Sequence, residues 1–234
     1  MSSNELGSEM LPDWVSNIQE KYDEYKEPTL HVSTLNLLRV ISRSLKQDLR
    51  AFVTAIEIIE EYIRAKRGTQ INSPTLVALC SVFMARQTYQ YNEVVLCEVD
   101  ILSTLKSYVP MSNKVDDLTT FIYKFEKDTR IRADVMPICM DVMEMLYLTR
   151  RRWFYRMKEI YSTNEDSSRA FRTLMRHRLF FPICILIFVF RKTNYKHCLD
   201  VDKILRDMSK KCNIHTDHFN AHIDLIDEIY SEKF

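Results

Sequence analysis

The sequence predicts an all-α protein on three observations. Only two glycines, Gly7 and Gly68, occur in 234 residues, where average usage near 7% gives about sixteen. Apolar residues recur at three-and-four spacing through most of the chain, and the polar breaks between those stretches carry proline or helix-capping residues. Hairpin turns, left-handed caps and phosphate-cradling loops all lean on glycine for backbone angles that other residues avoid, so all three are expected to be absent. No GxxxxGK[ST] loop, GxGxxG turn or GxSxG elbow can be written from the sequence, which disfavours the common nucleotide-binding and hydrolase sites.

Taken in order, residues 1–10 are polar and expected to be disordered. Leu11 to Tyr25 suits an amphipathic helix with Pro12 in its first turn and Trp14, Val15 and Ile18 on one side. Thr29 is expected to cap a helix reaching Ser44, with Leu30, Leu37, Leu38 and Ile41 apolar. Gln47 to Lys66 carries Leu49, Phe52, Val53, Ile56 and Ile63, and Lys66-Arg67-Gly68 closes it. Ser73-Pro74 is a helix start, and the segment that follows, 75–85, is apolar nearly all round, as in the centre of a bundle. Asn92 to Lys106 is the next helix, with Leu96, Val99, Leu102 and Leu105 marking its core side, and Pro110 follows its end.

A second series then begins: Asn113 to Asp128, Ala133 to Tyr161 with an interruption near Arg150-Arg151-Arg152, Ser167 to Arg178, a wholly apolar helix at Pro182 to Arg191, Asp200 to Lys211, and Thr216 to Tyr230. The plan is duplicated, amphipathic helices around one apolar helix, which implies two tandem bundles of about 100 residues each. The expected domains are 11–109, with its preceding helix, and 110–234.

Bulk properties narrow the class further. The chain is 46% apolar and 11% aromatic, enough for sizeable cores. Its longest apolar run, Leu179 to Phe190, is twelve residues, short of the roughly twenty that cross a bilayer, and MSSNELGSEM has no secretory signal pattern. A soluble nuclear or cytoplasmic protein without a membrane association is the expectation. The six cysteines, Cys80, Cys97, Cys139, Cys184, Cys198 and Cys212, form no CxxC pair and read as reduced core residues.

The net charge of +1 hides segregation: Arg150 to Lys211 holds sixteen Lys and Arg against six Asp and Glu, and the rest of the chain is correspondingly acidic. Arg169, Arg172 and Arg176 lie along one side of a helix, and with Arg150, Arg151 and Arg152 they form a candidate basic face for DNA or an acidic partner. Ordinary solvated helix faces account for the same residues. His215, His218 and His222 share a helical side after Cys212, yet no second cysteine pair completes a zinc motif, so they read as a polar helix face. The adjacent pairs Asp116-Asp117 and Glu60-Glu61 point in different directions on a helix and make no catalytic pair. Neither a cofactor, a metal nor a catalytic residue is expected.

Particular residues carry a resemblance. Glu98 to Val109, EVDILSTLKSYV, is similar to the fifth helix of a cyclin box; Thr75 to Gln87 resembles the third helix and Ala55 to Ile63 the second. Val142 to Leu148 looks like a segment of the divergent cyclin-like proteins of meiotic crossovers, the cyclin N-terminal-domain-containing proteins and the crossover-site-associated protein of nematodes. The resemblance spans about 40–150 and implies tandem cyclin-box-like bundles, a nuclear place on meiotic chromosomes, and a role beside recombination proteins. It also implies a non-enzymatic regulatory subunit of a cyclin-dependent kinase, gripped through Glu98 and the residue ending the third helix. That position holds the amide Gln87, next to Arg86, where the family pattern has lysine. If Leu11 to Tyr25 is instead the first helix of the box, every helix shifts by one and Glu98 alone keeps its role. The alternative is a kinase-independent scaffold that binds recombination proteins or DNA.

Overall fold

A computed structural model describes residues 26–66, 77–78, 80–82, 84, 92–106, 113–129, 134–162, 165–193, 195 and 199–232. The protein is all-α: the described residues contain no strand and form ten labelled helices. These are α1 (Val32–Ser44), α2 (Leu49–Ala65), α3 (Asn92–Thr104), α4 (Lys114–Thr129), α5 (Met136–Leu148), α6 (Arg150–Ile160), α7 (Glu165–Arg176), α8 (Phe180–Lys192), α9 (Val201–Cys212) and α10 (Thr216–Ser231). Residues 1–10, the Leu11 to Tyr25 helix and the Ser73-Pro74 start lie outside the described residues. The chain divides into two compact units: 27–115 with 147–151, and 116–146 with 152–234.

In the first unit, α2 packs against both α1 and α3. Phe52, Val53, Ile56, Ile59 and Tyr62 of α2 are all buried, as the three-and-four spacing requires. The helical residues Val77, Ala78, Cys80, Ser81 and Val82 are buried as well, and Gln47 Nε2 donates to the Val82 carbonyl at 3.2 Å. Asn113 joins the end of this unit to α2: its amide donates to Arg50 O at 3.1 Å and Thr54 Oγ1 at 2.9 Å, and its Oδ1 accepts from the Val115 amide at 2.9 Å.

The start of α1 differs from expectation. Thr29 does not cap it; the helix begins at Val32, and His31 Nδ1 accepts from Ser33 N at 3.3 Å. The reason is Glu60, whose side chain is 2% exposed. Its Oε1 accepts from the amides of Thr29 at 3.0 Å and Leu30 at 3.3 Å, which holds 29–30 outside the helix. Glu60 Oε2 accepts from Arg64 at 3.2 Å and pairs with Arg150 at 3.0 Å. A buried carboxylate costs several kcal/mol in desolvation unless its lone pairs are filled, and here two amides and two guanidiniums fill them.

The second unit is built around α8. Phe180 and every residue from Pro182 to Phe190 are buried, and α8 packs on α9 and α10. Pro182 sits in the first turn, where its missing N–H leaves no helical bond unmade. Phe190 meets Phe125 of α4 at 5.7 Å between ring centroids, and Phe188 meets Tyr230 of α10 at 5.3 Å. Asp200 caps α9, accepting from Lys203 N at 2.9 Å. Thr149 interrupts the long helical stretch between α5 and α6, close to the break anticipated at the arginine run.

Glycine scarcity does not abolish left-handed caps, contrary to the expectation. Lys46, Lys106 and Asn213 take φ of 53°, 51° and 51°. After α1 the chain closes with Gln47 N donating to Ser42 O at 2.8 Å, and after α9 with Ile214 N donating to Ser209 O at 3.1 Å. A non-glycine residue costs about 1–2 kcal/mol in this region, an amount the carbonyls it satisfies can offset.

Replacing Glu60 by Ala strands the Arg150 guanidinium and two amides, while Arg64 keeps Glu61 and the Glu27 carbonyl, so chemical unfolding is expected to show a loss of about 3–5 kcal/mol. Glu60→Gln, which keeps the acceptor for the two amides, is expected to lose less; equal stability of Glu60→Ala and the parent would remove Glu60 from its structural role.

Candidate partner-binding site

Glu98 lies in the middle of α3, and the orientation of that helix decides what surrounds it. Tyr62 Oη donates to Asp100 Oδ2 at 2.6 Å, and Lys66 Nζ meets Asp100 Oδ1 at 2.9 Å. These bonds hold the Asp100 carboxyl below its usual range, the tyrosine contact first and the lysine second. Burial, with Asp100 beside it, pushes the Tyr62 phenol well up. On the adjoining side Cys97 and Ile101 are buried, and the Cys97 thiol hydrogen-bonds with Cys80. Burial pushes Cys80 up to about 12 and Cys97 in the same direction, so both thiols are protonated core groups, not nucleophiles. The described cysteines, Cys80, Cys97, Cys139, Cys184 and Cys212, are all free and buried; Cys198 lies outside the described residues.

This pinning turns α3 about its axis relative to the expectation. Leu96 is 72% exposed and Val99 57%, while Leu102 and Leu105 are half-buried. The predicted core side, Leu96, Val99, Leu102 and Leu105, is therefore wrong. Spacing alone fits both rotations, and the polar Tyr62–Asp100–Lys66 contact chooses the one that buries Cys97 and Ile101. Glu98 is half-buried between the two exposed aliphatics. Among the described residues its carboxylate has no hydrogen bond or ion pair. Gln87 and Arg86, its expected companions, lie outside the described residues.

The six arginines of the expected basic face do not share one situation. Arg150 is drawn into the first unit, where it pairs with Glu60 and lies 5.2 Å from the Tyr147 ring. Arg151 is exposed. Arg152 is engaged by Glu232 and Glu228 of α10, and the Glu232 contact holds its pKa up. Arg169, Arg172 and Arg176 of α7 are all exposed, opposite the buried Phe171 and Leu174.

The three histidines also separate. His215 is 71% exposed, caps α10 and lies 3.1 Å from Asp217. His218 Nδ1 lies 2.6 Å from Tyr161 Oη. His222 is fully buried, edge-on to Trp153 at 4.9 Å and beside Phe180 at 5.0 Å and Phe181 at 5.6 Å. Neither of its ring nitrogens has a hydrogen-bond partner among the described residues, and burial pushes its pKa down to about 3. No group of three metal-ligating side chains occurs among the described residues.

A shallow cleft of about 370 Å³ lies between α6 and α10, lined by Arg156, Glu159, Ile160, Ala221, Asp224, Leu225 and Glu228. The sequence offered no signal for it, since its walls come from segments some 65 residues apart. Arg156 answers Glu159 at 3.4 Å and Glu228 at 3.2 Å, so much of its charge is internally balanced. Among the described residues no single helix is long and apolar enough to cross a membrane.

No protein-family model matches the chain, and no curated protein matches it in sequence.

The buried His222 makes a pH prediction. Its folded pKa is depressed below the unfolded value of about 6.5, so between those values the unfolded chain binds a proton that the folded chain does not, and stability falls as pH falls. From pH 7 to 5 the loss depends only on the unfolded pKa and is about 2 kcal/mol. Urea unfolding of His222→Phe is expected to lack that portion of the acid sensitivity; an unchanged acid limb would show that His222 is not the group responsible.

Proposed function

We propose that this chain is a non-catalytic, cyclin-like regulatory or adaptor protein that promotes crossover formation at designated recombination sites on meiotic chromosomes in the nucleus, acting through a cyclin-dependent kinase and beside recombination proteins. The observation that carries the kinase-facing half is the surface of α3: a Glu98 carboxylate with no ion pair among the described residues, between exposed Leu96 and Val99. Two aliphatic side chains one turn apart offer a partner helix an apolar anchor, and a carboxylate beside them fixes register by choosing a cation on that partner. The cyclin resemblance of Glu98 to Val109 gives the partner its identity. In this reading the two compact units correspond to two divergent cyclin boxes, and the resemblance assigns Arg86 and Gln87 to the kinase-facing role together with Glu98.

A kinase-independent scaffold on the same fold is the second reading. Gln87 favours it, because an uncharged amide stands where the family pattern has a lysine that grips the kinase.

Co-purification of cyclin-dependent kinase with the Glu98→Arg variant is the test. Reversing the charge of a half-buried group that no described residue pairs with should leave the helical spectrum and melting temperature in place while kinase affinity drops at least about tenfold, or about 1.4 kcal/mol. Leu96→Lys with Val99→Lys is expected to weaken the kinase to a similar degree. Full kinase binding by both variants would exclude docking through α3 and leave the scaffold reading.

A further inference from the structure

Folding answers part of the charge asymmetry seen along the chain. In the second unit Arg152 and Arg156 of α6 meet Glu228 of α10 and Glu232 just after it. Arg178 meets Asp117, Arg191 meets Asp202 at 3.0 Å, and Lys192 meets Asp227 at 2.7 Å. Acids of α4, α9 and α10 and the residue after α10 thus answer five cations of the basic stretch. On α7 that neutralisation does not happen. Arg169, Arg172 and Arg176 are exposed, and among the described residues no carboxylate pairs with them, although Glu165 lies one turn before Arg169. Glu165 and Asp166 occupy the first turn, where the helix dipole favours them, and the arginines fill the remaining turns.

We infer that the α7 stripe binds the phosphate backbone of duplex DNA. Positions i, i+3 and i+7 fall within one side of a helix, and at 1.5 Å per residue the three guanidiniums spread over about 10 Å. A duplex presents about six phosphate charges along that length. Each guanidinium offers a planar fork of donors that suits phosphate oxygens. A single strand is disfavoured as the ligand because stacking platforms need exposed aromatics, and the aromatic residue of α7, Phe171, is buried against Phe154 and Tyr161. The binding is independent of base sequence, since the stripe offers charge on a convex helix and no side chains shaped to read base edges. This names the ligand of the chromosome-facing half of the function proposed above and takes its biological setting from it. Glu98 and the kinase have no part in the duplex measurement, so either can fail alone.

The α9 helix supplies a matched control. Lys203, Arg206 and Lys210 repeat the same spacing and are exposed, but Asp207 lies within that face and Asp202 beside it, so its field is weaker. The experiment is fluorescence anisotropy of the full chain with a mixed-sequence duplex of about 30 base pairs at about 50 mM salt and above. Arg169→Glu/Arg172→Glu/Arg176→Glu is expected to lose at least about tenfold in affinity, and to flatten the slope of log K against log salt by about 3. Lys203→Glu/Arg206→Glu/Lys210→Glu is expected to lose less than about threefold, and the triple arginine-to-lysine variant of α7 to keep the parent slope within about 1. Circular dichroism accompanies each variant, all six residues being exposed. Undetectable duplex binding by the parent, equal losses in the α7 and α9 charge reversals, or equal competition by a polyglutamate peptide or a single strand of the same length would overturn the inference.

Discussion

The burial of one carboxylate organises the first compact unit. Glu60 sits on the inner side of α2, and its charge survives there because four donors from three separate segments converge on it: the amides of Thr29 and Leu30, Arg64 from its own helix, and Arg150 from the start of α6. Arg64 extends the chain of contacts, donating to the Glu27 carbonyl at 2.8 Å and engaging Glu61. Removing any donor leaves charge uncompensated in a medium where that is expensive. That requirement explains two features at once. The chain before α1 stays extended, and residues 147–151 belong to the first unit although α4, most of α5 and the rest of α6 belong to the second. Tyr147, whose ring lies against the same Arg150, reinforces the link with a long hydrogen bond of 3.5 Å to Glu57.

The second unit is held on different terms. Its centre is aliphatic and aromatic, with α8 enclosed and rings from α4, α6, α7 and α10 packed in tilted or edge-on pairs, geometries that suit ring quadrupoles. Apart from Arg178 with the buried Asp117, its ion pairs sit at the rim and are largely solvated, so each of those adds little to stability. What they do is set the surface field. In the second unit Arg152, Arg156, Arg178, Arg191 and Lys192 are answered by acids, whereas the arginine side of α7 is a concentrated source of positive potential. The local arrangement decides where a polyanion is drawn, and the net charge of the chain does not.

The helices were legible in the sequence because their signals are local. The proline in the first turn of α8, the Asp200 cap of α9 and the polar break before α6 each act within a few residues, and the chain obeyed them. What was hidden depends on partners distant in sequence. Thr29 looks like a cap until Glu60, 31 residues on, takes its amide. The rotation of α3 could not be read from Leu96, Val99, Leu102 and Leu105, since Cys97 and Ile101 offer a second apolar face; Tyr62 and Lys66, more than 30 residues earlier, make the choice through Asp100. Arg150 and Arg152 looked like surface charge beside Arg169, Arg172 and Arg176, and only folding separates the paired from the unpaired. Glycine counting misled in one respect: it excludes strands and tight turns well, but lysine and asparagine reached left-handed backbone at three helix ends.

Both surfaces assigned to partners share a design with consequences for how they can vary. On α3, the groups that hold the helix, Asp100, Cys97 and Ile101, face the unit, while Glu98, Leu96 and Val99 take no part in holding it. On α7, Phe171 and Leu174 anchor the helix among Phe154 and Tyr161, and the arginines stand on the opposite side. The proposed binding groups and the stabilising groups are thereby different residues of the same helix, so substitutions on the displayed faces leave the anchoring contacts intact. A helix pinned on one side also presents its other side with little orientational freedom left to lose on association, which lowers the entropic cost of docking. In the proposed kinase-facing role, the polar contacts of Asp100 therefore contribute to recognition without touching the partner, by deciding which of two apolar faces of α3 is displayed.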